Sequence, residues 1–169
     1  MRGYQGWQKA LRKGWTPRRN PERDSATASR ACPGREYGQD PPPMKVWIID
    51  DDPSNVATAA ATVTHLGLAG FRGFLSGHAA LAAIHAGEAP PHILLMDFFI
   101  SGERGDTVTR QWRAIERSAQ RALIVGYSSA RMGSEAIVAA GGNAIVRKRR
   151  SPDGLNHDLL EWLREQLDG

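Results

Sequence analysis

From Met44 onward the chain alternates short apolar runs with longer amphipathic stretches, five times over, and that alternation limits the fold more than any single residue does. VWIID (46–50) and HILLMD (92–97) are too short for helices and carry Val, Ile and Leu at successive positions, the pattern of a strand buried on both faces. AGFRGF (69–74) is a weaker strand, and ALIVGYSS (122–129) and AIVRK (144–148) complete the set. The segments between them read as helices. Asp52 or Ser54 caps the first, with Pro53 near its first turn and Val56, Ala59, Ala60, Val63 and Leu66 on its apolar side up to Gly67. Ser76 opens an Ala-rich second helix that ends at Gly87, before Pro90 and Pro91. FFISGERGD (98–106) reads as a glycine-containing loop, and TVTRQWRAIERS (107–118) as a helix with Val108, Trp112 and Ile115 on one face. SEAIVAAG (134–141) is a short fourth helix. Ser151-Pro152 opens a fifth, in which Leu155, Leu159, Leu163 and Leu167 recur at intervals of four.

Alternating strands and helices imply an α/β fold: a five-stranded parallel sheet, doubly wound, with helices on both faces. Ligands of such sheets bind beyond the carboxyl ends of the strands, near the topological switch point. Those ends are polar here. The first strand runs into Asp50, Asp51 and Asp52, the third into Asp97, the fourth into Ser128 and Ser129, and the fifth into Lys148. Clustered carboxylates repel one another, and one titrates abnormally unless a cation joins them. Oxygen ligands with few dedicated protein groups suit Mg²⁺, which keeps several waters. Each residue singly has a plainer explanation. A helix cap accounts for one aspartate of the three, Ser128 alone is an ordinary strand-end hydroxyl, and Lys148 sits in RKRR (147–150), a solvated charge run. The argument lies in their convergence on one edge. His65, His78, His85, His92 and His157 show no paired metal spacing and read as structural or solvent-facing.

Residues 1–43 differ in kind. They hold nine Lys/Arg against four Asp/Glu and six of the ten prolines, whereas the other 126 residues hold thirteen Lys/Arg against fourteen Asp/Glu. The excess positive charge of the chain therefore belongs to this extension, which offers few aliphatic residues for a core and reads as disordered. Trp7 and Trp15 interleave with Lys9, Arg12, Lys13, Arg18 and Arg19, a pattern open to a tail that binds nucleic acid or an anionic surface. A solvated tail without a partner is the simpler reading. A third is that Met44, directly before the first strand, is the natural start of the folded unit. Cys32 is the single cysteine, so no internal disulfide forms and a reducing cytoplasm is the expected compartment. No apolar run is long enough to span a bilayer, and no secretory signal is visible.

Residues 44–169 resemble the receiver domains of two-component response regulators. The resemblance rests on IIDD (48–51), on LLMD (94–97) with Gly105 eight residues on, on GYSS (126–129), and on AGGNAIVRK (140–148), in order and at strand ends. It implies a flavodoxin-like (βα)5 fold with strand order 2-1-3-4-5. It also implies that Asp97 accepts a phosphoryl group from a histidine kinase or a histidine phosphotransfer protein. Mg²⁺ would be held by Asp50, Asp51, Asp97 and the backbone carbonyl of Phe99. Lys148 and Ser128 would contact the phosphoryl oxygens, with the backbone amide of Ser129 beside them. The protein would be a self-phosphorylating acceptor rather than a turnover enzyme, signalling to a downstream target protein by docking or relay. With no segment after the fifth helix, a stand-alone receiver is expected.

The chain departs from the family pattern at four places. Arg149 stands where a proline usually follows the lysine, so the loop after the fifth strand is expected to take another path. Ile100-Ser101 replaces the usual Met-Pro after the acceptor, and Ile145 replaces the aromatic of the fifth strand. The Ser128–Lys148 spacing is short and implies a trimmed fourth helix. These departures favour the alternative of a degenerate receiver, an interaction module that takes no phosphoryl group. Phe99 and Ala130 occupy positions that influence hydrolysis in the family, and neither side chain can orient water, so a slowly hydrolysing acyl phosphate is expected.

Overall fold

The structure is a computed structural model and describes residues 44–116 and 121–168. The expectations for residues 1–43, and the end of the third predicted helix at 117–118, lie outside the described residues. Five strands form one parallel sheet: β1 (Lys45–Ile49), β2 (Gly70–Phe74), β3 (Ile93–Met96), β6 (Leu123–Ser128) and β7 (Ala144–Arg147). Their spatial order is β2-β1-β3-β6-β7, the 2-1-3-4-5 order expected for the principal strands. From β1 the chain steps outward to β2 and then back across to β3. The topological switch therefore falls between β1 and β3, where Ile49 is level with Met96. The next residues along these two strands are Asp50 and Asp97.

Helices α1 (Pro53–His65), α2 (Gly77–His85), α3 (Gly105–Ile115), α4 (Arg131–Ala139) and α5 (His157–Asp168) join or follow the strands. Alternate residues of each strand face opposite layers. Trp47, Ile49, Leu94, Met96 and Ile124 belong to a cluster with Ala80 and Ala83 of α2, Val108 and Trp112 of α3, and Ile137 of α4. Trp47 is edge-on to Trp112, with ring centroids 6.0 Å apart, and tilted against Phe74 at 4.8 Å. On the opposite layer α1 contacts α5, and Ala59, Val63, Leu159 and Leu163 are fully buried. Strands β1 and β3 are thus covered on both sides, which is why their sequences read as unbroken apolar runs rather than as alternation.

Three expectations are corrected. The fifth helix starts at His157, not at Ser151-Pro152. Residues 151–155 close a turn instead, with the Gly154 amide donating to the Ser151 carbonyl and the Ser151 amide to the Leu155 carbonyl. Buried Asn156 then caps the helix by accepting from the Leu159 amide at 3.0 Å. The same side chain donates to Tyr127 Oη (2.8 Å) and to the Arg147 carbonyl (2.9 Å), and its backbone amide donates to Thr62 Oγ1 (3.0 Å). One residue joins α1, β6, β7 and α5, and that network, rather than Ser-Pro chemistry, fixes the helix start. Burial pushes the Tyr127 phenol up to about 12, so it stays neutral there. The fourth helix spans Arg131–Ala139 rather than 134–141, because Gly141, at φ +113°, lies in left-handed space and cannot continue it. The segment read as a plain loop after Asp97 contains an antiparallel hairpin, β4 (Phe99–Ile100) with β5 (Glu103–Arg104), turning at Ser101-Gly102.

Candidate functional site

Asp50 ends β1, where its amide donates to the Phe74 carbonyl at 3.0 Å and carries the ladder one step past the strand. Asp97 does the same beyond β3, its amide donating to the Ile49 carbonyl at 3.0 Å. Both carboxylates are buried, while Asp51 is exposed. One oxygen from each of Asp50, Asp51 and Asp97 lies within 4.8 Å of the others. Asp52 faces elsewhere. Its carboxylate caps α1 by accepting from the Ser54 amide at 2.8 Å, which holds its carboxyl below the usual range. The aspartate triplet therefore divides its work, and one member is structural.

Lys148 enters from the end of β7. Its ammonium lies 2.7 Å from Asp50 Oδ2 and 3.0 Å from Asp97 Oδ1, with the side chain only 12% exposed. The loop beyond carries Arg149, yet the lysine reaches both carboxylates. The Lys148 amide donates to the Ser128 carbonyl at 3.3 Å, fixing the start of its side chain on the β6–β7 ladder. Asp50 Oδ1 accepts from the Asp52 amide (3.1 Å) and from Asn55 Nδ2 (3.2 Å). Asp50 Oδ2 is buried, and its partner among the described residues is the Lys148 ammonium. Burial pushes the Asp50 carboxyl above its ordinary value, and Lys148, the Asp52 amide and Asn55 offset only part of that shift.

Ser128 and Ser129 stand at the same edge, since β6 pairs with β3 on one side and β7 on the other. Ser128 is buried, and its hydroxyl accepts weakly from the Ala130 amide at 3.4 Å; Ser129 is exposed. The backbone after Asp97 is held tightly. The Gly105 amide donates to the Phe98 carbonyl at 2.9 Å, and a Cβ at Gly105 would come within 1.9 Å of the Asp97 carbonyl oxygen. Only glycine fits there, which gives a physical reason for the spacing between Asp97 and Gly105.

The hairpin register also sets which carbonyls face away from the ladder. Directly opposed residues of an antiparallel ladder alternate between hydrogen-bonded and non-hydrogen-bonded pairs. The bond between Gly105 and Phe98 marks that pair as bonded, so Phe99 opposite Arg104 is the non-bonded pair. Phe99 thus turns its own N–H and C=O away from β5.

The three carboxylates form an all-oxygen donor set that fits a hard divalent cation. Sequence reasoning did not single out Asn55 or Glu103. Asn55, in the first turn of a helix that opens beside Asp50, carried a local signal. Glu103 carried none, because its partner is 26 residues away.

No protein-family model matches the chain, and no curated protein matches it by sequence. Solved structures do. A CheY-like response regulator receiver domain protein from Methanospirillum hungatei is 20% identical, with a TM-score of 0.59 over 74% of this chain and 94% of that one. The chemotaxis protein CheY4 of Vibrio cholerae is 18% identical, with a TM-score of 0.59 over 72% of this chain and 97% of that one. The response regulator DrrB of Thermotoga maritima is 18% identical, with a TM-score of 0.57 over 74% of this chain, which spans only 52% of DrrB. The described domain has the receiver fold.

Proposed function

We propose that this chain is a response-regulator receiver that takes a phosphoryl group onto Asp97. The observation that carries the reading is Lys148, whose ammonium sits between Asp50 and Asp97 at the switch point of a receiver fold. The donor is the phosphohistidine of a histidine kinase or phosphotransfer protein. A carboxylate oxygen of Asp97 attacks phosphorus, an acyl-phosphate P–O bond forms, and the P–N bond to imidazole breaks. The electron pair of that bond leaves with the imidazole. Lys148 then balances charge on the phosphoryl oxygens, the Ser128 hydroxyl donates to one of them, and the exposed Ser129 offers its backbone amide. Asp50, Asp51, Asp97 and the Phe99 carbonyl would hold Mg²⁺, which supplies charge neutralisation and alignment during transfer.

The new charge would act on a downstream protein by docking or relay, in the cytoplasm, where such kinases present their donors. Among the described residues no helix is long and apolar enough to cross a membrane. Residues 1–43 are a basic extension whose removal should leave this chemistry intact. Phe99 and Ala130 leave no side chain to orient an attacking water, so the acyl phosphate should hydrolyse slowly by receiver standards.

Incubation of the purified chain with acetyl phosphate and Mg²⁺, read by intact mass, tests the proposal. One phosphoryl group should appear and be absent in Asp97→Ala, and its half-life should exceed seconds. Ile145, half exposed on β7, and Arg149 favour a second reading, a docking module that needs no phosphoryl group. Failure of the folded chain to incorporate phosphate at saturating Mg²⁺ would move the assignment there.

A further inference from the structure

The hairpin that follows Asp97 is too short to hold itself. Each of its strands has two residues, and an isolated ladder of that length is not stable in water. Ile100 anchors one strand in the core. The other is anchored by Glu103, whose carboxylate accepts a hydrogen bond from the Gly77 amide at 2.7 Å. Gly77 opens α2, and Ser76 already accepts from the Ala79 amide at 3.2 Å. Glu103 thus caps a free N–H that the local cap leaves over, and its charge suits the positive end of the helix. A Cβ at Gly77 would lie 2.9 Å from this carboxylate oxygen and 2.5 Å from a Val108 methyl, so the seat accommodates only glycine.

Through the hairpin, this tether bears on the site. Phe99 heads the strand opposite β5, and the register turns its carbonyl away from β5. We infer that Glu103 is a positioning residue for the divalent cation: by fastening β5 to the start of α2 it holds the Phe99 carbonyl where Asp50, Asp51 and Asp97 converge. The inference rests on the reading of that carbonyl as a metal ligand. Groups that orient ligands commonly influence metal affinity by ~10–100-fold.

The experiment is a Mg²⁺ titration of the full chain, followed by amide NMR shifts and by the melting temperature with and without the ion. Glu103→Ala should weaken Mg²⁺ binding by about tenfold. Glu103→Gln, whose amide oxygen can still accept from Gly77, should restore most of it. Glu103→Asp keeps the charge but withdraws the carboxylate by one methylene, and should behave like alanine; it serves if the alanine variant does not fold. Unchanged Mg²⁺ affinity in both Glu103→Ala and Glu103→Asp would overturn the inference while leaving the metal site standing. So would a loss in Glu103→Gln equal to that in alanine. A wild-type chain that binds no Mg²⁺ would overturn both the inference and the metal reading beneath it.

Discussion

The two edges of the sheet both bury charge, and they solve the problem in opposite ways. At the amino edge, Arg113 of α3 spends its guanidinium on fixed acceptors. It donates to the Gly141 carbonyl (2.8 Å), the Ala122 carbonyl (3.0 Å) and Asn143 Oδ1 (2.7 Å), and pairs with Glu116. Glu116 in turn accepts from Trp112 Nε1 (3.1 Å) and the Ala122 amide (2.7 Å). Burial lowers the Arg113 pKa and Glu116 works against that shift. At the carboxyl edge, two buried carboxylates share a single ammonium, and one oxygen of a third, exposed carboxylate lies within 4.8 Å of an oxygen of each. The first arrangement is complete and has nothing left to bind. The second is short of positive charge, an imbalance that a bound cation would relieve. Charge burial by itself therefore does not identify a site; incomplete satisfaction does.

That contrast can be broken by experiment. The largest effect should come from Arg113→Met, which removes the nearest counter-charge of Glu116 and a donor from each of three acceptors. It should cost about 3–5 kcal/mol in urea denaturation, a difference from wild type that Mg²⁺ leaves unchanged because the ion stabilises both chains alike. Lys148→Met should cost less, about 2 kcal/mol without metal, because the crowded carboxylates it leaves behind can be relieved by proton uptake. Here Mg²⁺ at ~10 times its Kd should return about 1.4 kcal/mol. If Mg²⁺ stabilised neither variant, the two edges would be alike and the carboxyl edge would not be a cation site.

The smallest effect sharpens the comparison by pH. The folded-state pKa of Asp50 is raised, so between its unfolded and folded values the native state binds more protons than the unfolded state. Its ionisation thus lowers stability above the folded pKa, and that penalty fades as pH falls through it. The melting temperature of metal-free Asp50→Asn, taken relative to wild type, should therefore rise as pH rises through the folded-state pKa of Asp50. Asp106 provides the contrast. Burial pushes its carboxyl up, but Arg110 and Arg104 outweigh burial and hold it low. Its stabilising contribution is present above the unfolded pKa and is lost only on acidification below it, so Asp106→Asn should show no such gain toward neutrality.

Much of this was legible in the chain because its cause is local. The apolar runs VWII and ILLM mark strands that the sheet buries on both faces, and strand ends follow directly from strand positions. Asp50, Asp97, Ser128 and Lys148 could therefore be assigned to one edge before their distances were known. Errors fell where distant partners decide. Helix α5 starts at His157 because its cap, Asn156, finds Tyr127 and Thr62, far away in sequence. The hairpin at 99–104 is held by Glu103 on α2, and no spacing in FFISGERGD announces that contact.

The sequence by itself determined the order of strands and helices and the residue types at each strand end, since periodicity and capping act within a few residues along the chain. Tertiary structure alone decided which oxygens meet. It paired Lys148 with Asp50 as well as Asp97, assigned Asp52 to a helix cap, and brought Asp51 to the same carboxylate cluster. The physical reason is range: local propensity fixes where a strand stops, but hydrogen bonds and ion pairs form over about 3 Å, and only packing brings residues fifty or a hundred positions apart to that distance.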